Sequence, residues 1–103
     1  MDKYNLLSSK KDIERICQEE NISYLGVFGS YARGENREDS DVDILYEYDD
    51  SVSRSKSLLD VAKLKIKLED LLKKKVDIAS RKNLKPLLKP YILSDLVTLY
   101  EKN

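Results

Sequence analysis

Histidine is absent from this 103-residue chain. That excludes a histidine general base, a Ser–His or Cys–His nucleophile pair, and any Cys/His zinc site. Cys17 is the single cysteine, so no internal disulfide can form. Net charge is also missing: 19 Lys and Arg balance 19 Asp and Glu. A uniformly basic nucleic-acid binder is therefore disfavoured, and nucleic acid is not expected as the main partner. No apolar run approaches the roughly 20 residues of a membrane span. No long apolar run follows residues 1–11 either, so no secretory leader is expected and a reduced, cytoplasmic setting fits. With 3 glycines and 2 prolines against 41% hydrophobic and 37% charged residues, the chain reads as one folded domain of helices and strands over 1–103.

The zero net charge conceals a polarity. Residues 1–50 carry 6 basic and 13 acidic side chains, a balance of −7; residues 51–103 carry 13 basic and 6 acidic, a balance of +7. Chemistry in such a chain rests on carboxylates, hydroxyls, Lys or Arg. That polarity is either the chance asymmetry of a small domain or a division into metal-binding acids in the first half and an anion-facing surface in the second, and the acidic excess alone does not decide.

Periodicity gives the elements. Ser8 and Ser9 are N-cap candidates for a helix with Asp12 in its first turn, and Ile13, Ile16 and Cys17 form its apolar stripe. Glu14, Glu19 and Glu20 fall on the wet side, and Asn21 closes the helix. Residues 22–28 read as a buried strand running into Gly29-Ser30, with a helical turn or two around 31–33. Residues 34–40 form a polar loop, and 41–48 a second strand. A loop over 51–57 leads to a helix of about 18 residues, apolar through Leu58, Val61, Ala62, Leu64, Leu68, Leu71 and Leu72, with Lys63, Lys65, Lys67 and Lys74 solvated. A strand follows at 76–80, then a short helix over 84–93 with Pro86 in its first turn and a kink or break at Pro90. The tail 96–100 is either an edge strand or a helical turn. The long helix could be a crossover between strands, but its length does not fix their pairing.

Asp41 and Asp43 stand two apart on a strand, so both project from one face, roughly 6–7 Å apart, while Val42 and Ile44 face the core. Like charges so placed repel unless a cation lies between them, and a hard divalent ion such as Mg²⁺ prefers oxygen ligands. Asp77, between Val76 and Ile78, repeats the pattern. If the strands of Asp43 and Asp77 are neighbours, three carboxylates converge: two hold a metal, and the third binds a second metal or takes a proton from an attacking hydroxyl. The plainer reading is a solvated acidic face. An EF-hand is excluded, because its sixth and twelfth places hold Ile44 and Asp50 rather than Gly and Glu. Gly29-Ser30, at a strand-to-helix turn, suits close backbone approach to a phosphate. No Gly-Lys-Ser/Thr follows, so it is no Walker A loop.

Gly29-Ser30, ten residues, then Asp41-Val42-Asp43 resembles the signature of the DNA polymerase beta-like nucleotidyltransferases. The fuller string from Gly26 through Phe28, Tyr31, Ala32, Arg33 and Gly34 to Glu35 resembles their minimal one-domain members, as do Val76-Asp77-Ile78 and, more loosely, 96–100. The resemblance implies a small α/β (α+β mixed) fold, a short mixed sheet with helices packed against it. It implies ATP as substrate and Mg²⁺ as cofactor, with Gly29, Ser30 and Arg33 binding the nucleotide. Asp41, Asp43 and Asp77 would be the metal ligands and catalytic residues, Asp77 as base. Arg33 is open to a second role, an ion pair with Glu35 or Asp39. Tyr31 is packing or rim, and Lys82, Lys85 and Lys89 either hold an anionic partner or are solvated.

Small members of that family accompany HEPN-domain toxins. The resemblance therefore implies an antitoxin that transfers AMP to a toxin tyrosine. The alternatives are a module that neutralises its partner by complex formation, or transfer to a small molecule or an RNA end. Homo-oligomerisation stays open.

Overall fold

The structure, a computed structural model, describes residues 9–102. In chain order it comprises α1 (Lys10–Glu19), β1 (Ile22–Phe28), α2 (Ser30–Arg33), β2 (Val42–Tyr48), α3 (Leu58–Leu72), β3 (Val76–Ser80), α4 (Lys89–Asp95) and β4 (Val97–Glu101). Short 3₁₀ turns lie at Ser53–Ser55 and Arg81–Asn83. The four strands form one sheet in the order β3-β2-β1-β4. β1 runs antiparallel to both β2 and β4, while β2 and β3 are parallel. This is the small mixed α/β arrangement expected, with α3 as the crossover between the two parallel strands.

One face of the sheet is the core. In α1, Ile13, Ile16 and Cys17 recur at helical spacing and are buried, as are Leu64, Leu68 and Leu72 of α3. They close over Leu25, Val27, Val42, Ile44 and Val76. A capping box starts α3: Ser57 N–H donates to Asp60 Oδ2 at 2.8 Å, and Ser57 Oγ to the same oxygen at 3.2 Å. The helix ends at Lys73 with φ +57, after 15 residues rather than about 18. Glu20 departs from its expected wet position and is buried. The turn after α1 tucks it beneath α3, where Lys67 Nζ donates to Glu20 Oε2 at 3.1 Å and also to Glu19 at 3.2 Å. Lys67 is accordingly not free on a solvated face. Tyr31 is fully buried, which settles it as packing.

Cys17 is fully buried, and burial, followed by the nearby Glu14 charge, pushes its thiol up to about 12. The reactive thiolate is thus suppressed in the native chain. Native protein at pH 8 should leave a thiol-specific disulfide reagent such as DTNB unreacted, with one equivalent consumed on unfolding. Prompt native reaction would show that α1 opens readily.

The opposite face is covered lightly. Gly26 faces it between Tyr24 and Phe28, and a Cβ there would lie 2.7 Å from both Leu96 Cδ1 and Tyr24 Oη. The glycine therefore lets Leu96 lie on β1. Tyr24 Oη meets Thr98 Oγ1 at 2.9 Å, and the Arg81 guanidinium stacks 4.3 Å from the Tyr24 ring centre. The C-terminal elements differ from expectation. Residues 86–88 form a turn rather than a helix, and α4 starts only at Lys89. Pro90 is its second residue, where the missing N–H would have no intrahelical acceptor, so it starts the helix rather than kinking it. The tail resolves as an edge strand, β4. Ser9 occupies the N-cap place of α1 without a side-chain hydrogen bond, and Ser8 lies outside the described residues. Among the described residues no helix is long and apolar enough to cross a membrane.

Candidate active site

Where β1 ends, the chain turns through Gly29 with φ +75 and ψ −151, a combination essentially confined to glycine. Four helical residues follow. Arg33 N–H donates to Gly29 O at 3.1 Å, Glu35 N–H to Ser30 O at 2.9 Å, and Gly34 closes the turn in the left-handed region. The turn is pressed against an acid. A Cβ on Gly29 would stand 2.2 Å from Asp43 Oδ2. Only a residue without a side chain leaves the Asp43 carboxylate its place there.

Asp43 is brought to the turn by strand pairing, since it is the register partner of Phe28 on β1. On its other side it is the register partner of Asp77 on β3. Adjacent strands lie about 4.8 Å apart, and register partners project from the same face. Asp41 lies one residue before β2 and is exposed, as is Asp77; Asp43 is half-buried. Asp43 is held more readily protonated than an ordinary aspartate, first by burial, then by the charges of Asp77 and Asp41, against a smaller opposing effect of Arg33. Asp43 therefore feels both other acids and Arg33. A shallow cavity of about 400 Å³, lined by residues 38–41 and 73–75, opens beside Asp41, with Lys73, Lys74 and Lys75 in its wall.

Among the described residues no three His, Cys, Asp or Glu side chains already form a cage for an ion. The donor set is nonetheless that of a hard cation, all carboxylate oxygen. The repulsion that burdens Asp43 is what a bound cation would relieve.

Arg33 makes the pair with Glu35 that its position suggests, Nε to Oε1 at 3.1 Å. Its shorter contact is one that the sequence does not announce: Nη1 to Asp95 Oδ2 at 2.6 Å. That bond, chiefly, raises the already high pKa of the guanidinium, so Arg33 is a permanent cation held by Asp95 and Glu35. It ties α2 to the end of α4. We expect Arg33→Ala and Asp95→Ala to lower the melting temperature by similar small amounts, and the double variant to lose little more than either alone. Additive losses would show that the two side chains act separately. Of the three lysines with an open role, Lys82 pairs with Asp50 at 2.7 Å, while Lys85 and Lys89 have no ion pair among the described residues.

The family profile described as "Polymerase beta, Nucleotidyltransferase" matches residues 11–103. The chain belongs to that family. A Methanocaldococcus jannaschii protein named as a candidate protein adenylyltransferase is 41% identical over 93 residues, covering 90% of this chain and 96% of its own length. The Thermococcus cleftensis protein adenylyltransferase MntA is 41% identical over 76 residues, 74% of this chain and 73% of its own. Among solved structures, one described as a candidate minimal nucleotidyltransferase superposes with a TM-score of 0.78 at 38% identity, covering 94% of this chain and 95% of that one. The MNT antitoxin complexed with a tri-AMPylated HEPN toxin from Shewanella oneidensis shares the fold, with a TM-score of 0.67 at 17% identity, covering 94% and 73%. In this nucleotidyltransferase the turn, Asp43 with Asp41 just before its strand, and Asp77 lie at one end of the sheet, Asp43 and Asp77 on the face away from α1 and α3.

Proposed function

We propose that this chain is a Mg²⁺-dependent protein adenylyltransferase that moves AMP from ATP to a tyrosine hydroxyl of a HEPN-domain toxin and so acts as its antitoxin. The observation that carries the reading is the seat of Asp43, pressed against Gly29 on one side and in register with Asp77 on the other. The adenylyltransferase names of relatives about 40% identical support the choice of AMP and of a protein acceptor. The toxin–antitoxin complex of like fold supports the partner class.

Asp41 and Asp43 hold the metal, with Asp77 completing the set. A bound Mg²⁺ supplies charge neutralisation and polarisation of phosphate oxygens. The protein's own work is positional. The Gly29-Ser30 backbone lies along the triphosphate, and Arg33 places a cation beside it. Asp77 accepts the proton of the acceptor hydroxyl as that oxygen bonds to the α-phosphorus. The bond to the β-phosphate bridge breaks, and pyrophosphate leaves.

Exposure of Asp41 and Asp77 favours one other reading, a site left open because the protein inhibits by binding alone. Intact-mass spectrometry of the HEPN-domain protein, after incubation with this chain, ATP and Mg²⁺, separates the two. Transfer adds about 329 Da per AMP and disappears in the Asp41→Asn/Asp43→Asn variant. A stable, silenced complex with no added mass would overturn transfer in favour of binding.

A further inference from the structure

Two exposed apolar patches remain outside the core. One lies on α3, where Leu58, Leu59 and Ile66 are exposed. That helix covers the face of the sheet opposite the acids. The other is formed by Leu87 (86% exposed), Leu88 (52%) and Tyr91 (74%), on the turn and first residues of α4. α4 has seven residues, none of them buried. A helix this short has little stability of its own and depends on packing against something. Its far end is tied through Asp95 to Arg33 on the turn after β1, and the next residue, Leu96, lies on Gly26, on the sheet face that carries Asp43, so α4 sits on the same side of the sheet as the acids. Its charge is one-sided. From 81 to 94 there are four cations and no acid. Arg81 and Lys82 are engaged by Glu47 and Asp50, which leaves Lys85 and Lys89 unpaired among the described residues, one just before the apolar trio in sequence and one within it.

We infer that Leu87, Leu88 and Tyr91, together with Lys85 and Lys89, dock the acceptor protein through an apolar surface that carries Asp or Glu side chains. The inference rests on the transfer reading only for the identity of that protein. An apolar anchor interspersed with unpaired cations matches an acidic, apolar counterpart, with contact area supplying retention and charge supplying encounter rate. The patch on α3 cannot serve, because an acceptor seated there would have the sheet between its hydroxyl and the acids.

The test uses the HEPN-domain protein of the same genome with two variants of the whole chain, Leu87→Ser/Tyr91→Ser and Lys85→Glu/Lys89→Glu. All four side chains are exposed, so melting temperature and nucleotide binding should match wild type. The first variant should weaken the complex at least about tenfold, mostly through faster dissociation, and raise the acceptor KM with little change in kcat. The second should slow association and remove its salt dependence. Wild-type affinity and acceptor KM in both variants would overturn docking while leaving AMP transfer intact. So would a wild-type dimer that the first variant dissociates without changing acceptor affinity, which would assign the patch to a second copy of this chain. Loss of the complex in the variants, with no AMP transfer even by wild type, would uphold docking and sink the transfer reading instead.

Discussion

Gly29→Ala should leave a folded chain that transfers AMP at least about a hundredfold more slowly than wild type. Two costs fall on this residue. The backbone, at φ +75 and ψ −151, lies in a region that costs an L residue about 1–3 kcal/mol. The new Cβ would stand 2.2 Å from Asp43 Oδ2, so something must move. What can move most easily is the carboxylate itself, the group the proposed chemistry needs. The chain should therefore keep its fold by displacing Asp43 and lose the proposed reaction. Gly34→Ala is the control. Gly34 has nearly the same φ, +74, but nothing lies within 4 Å of its added Cβ. It should lose several degrees of melting temperature, as any left-handed alanine does, and keep its transfer rate. Single-turnover incorporation of labelled AMP beside thermal melts makes the comparison. Gly29→Ala with a wild-type rate would show that the turn is no part of the site.

The contrast between these glycines bears on what the sequence discloses. The Gly29-Ser30 turn and the acids Asp41 and Asp43 were legible through their spacing taken together with the family resemblance, because the signature ties positions close along the chain. The helical stripe of α1 and the apolar alternation of β2 were legible for a similar reason, since burial on one side imposes a period on the residues themselves. Pairing is different. That Asp43 and Asp77 are register partners depends on α3 carrying β3 to the outer edge of β2, and nothing in the composition of α3 names its destination. Asp95 was invisible because it lies 62 residues from Arg33, beyond any local spacing rule. Pro90 was misjudged because a proline second in a helix and a proline within one look alike until the start is known. Glu20 looked wet because its polar neighbours in sequence, Glu19 and Asn21, say nothing of Lys67 on another helix, which pairs with it.

Asp43→Asn should abolish transfer, by a thousandfold or more on the scale of losing an essential electrostatic group, while melting at the same temperature as wild type or a few degrees higher. The side chains have nearly the same shape, so the contact with the Gly29 turn is kept. What changes is charge. Burial and the neighbouring Asp77 and Asp41 carboxylates raise the Asp43 pKa, so the folded chain holds this proton more tightly than the unfolded one. A group with a raised folded pKa contributes stability in acid, and that contribution is lost as pH rises through the folded value. At neutral pH wild type thus carries a repulsion that asparagine does not. The two melting temperatures should converge as pH falls below the ordinary carboxylate range and separate as it rises. Millimolar MgCl₂ provides a readout independent of catalysis. It should raise the wild-type melting temperature by stabilising the folded acids and leave Asp43→Asn nearly unmoved. A variant that melts well below wild type at neutral pH would assign Asp43 to the fold. A variant stabilised by Mg²⁺ as strongly as wild type would remove it from the metal site.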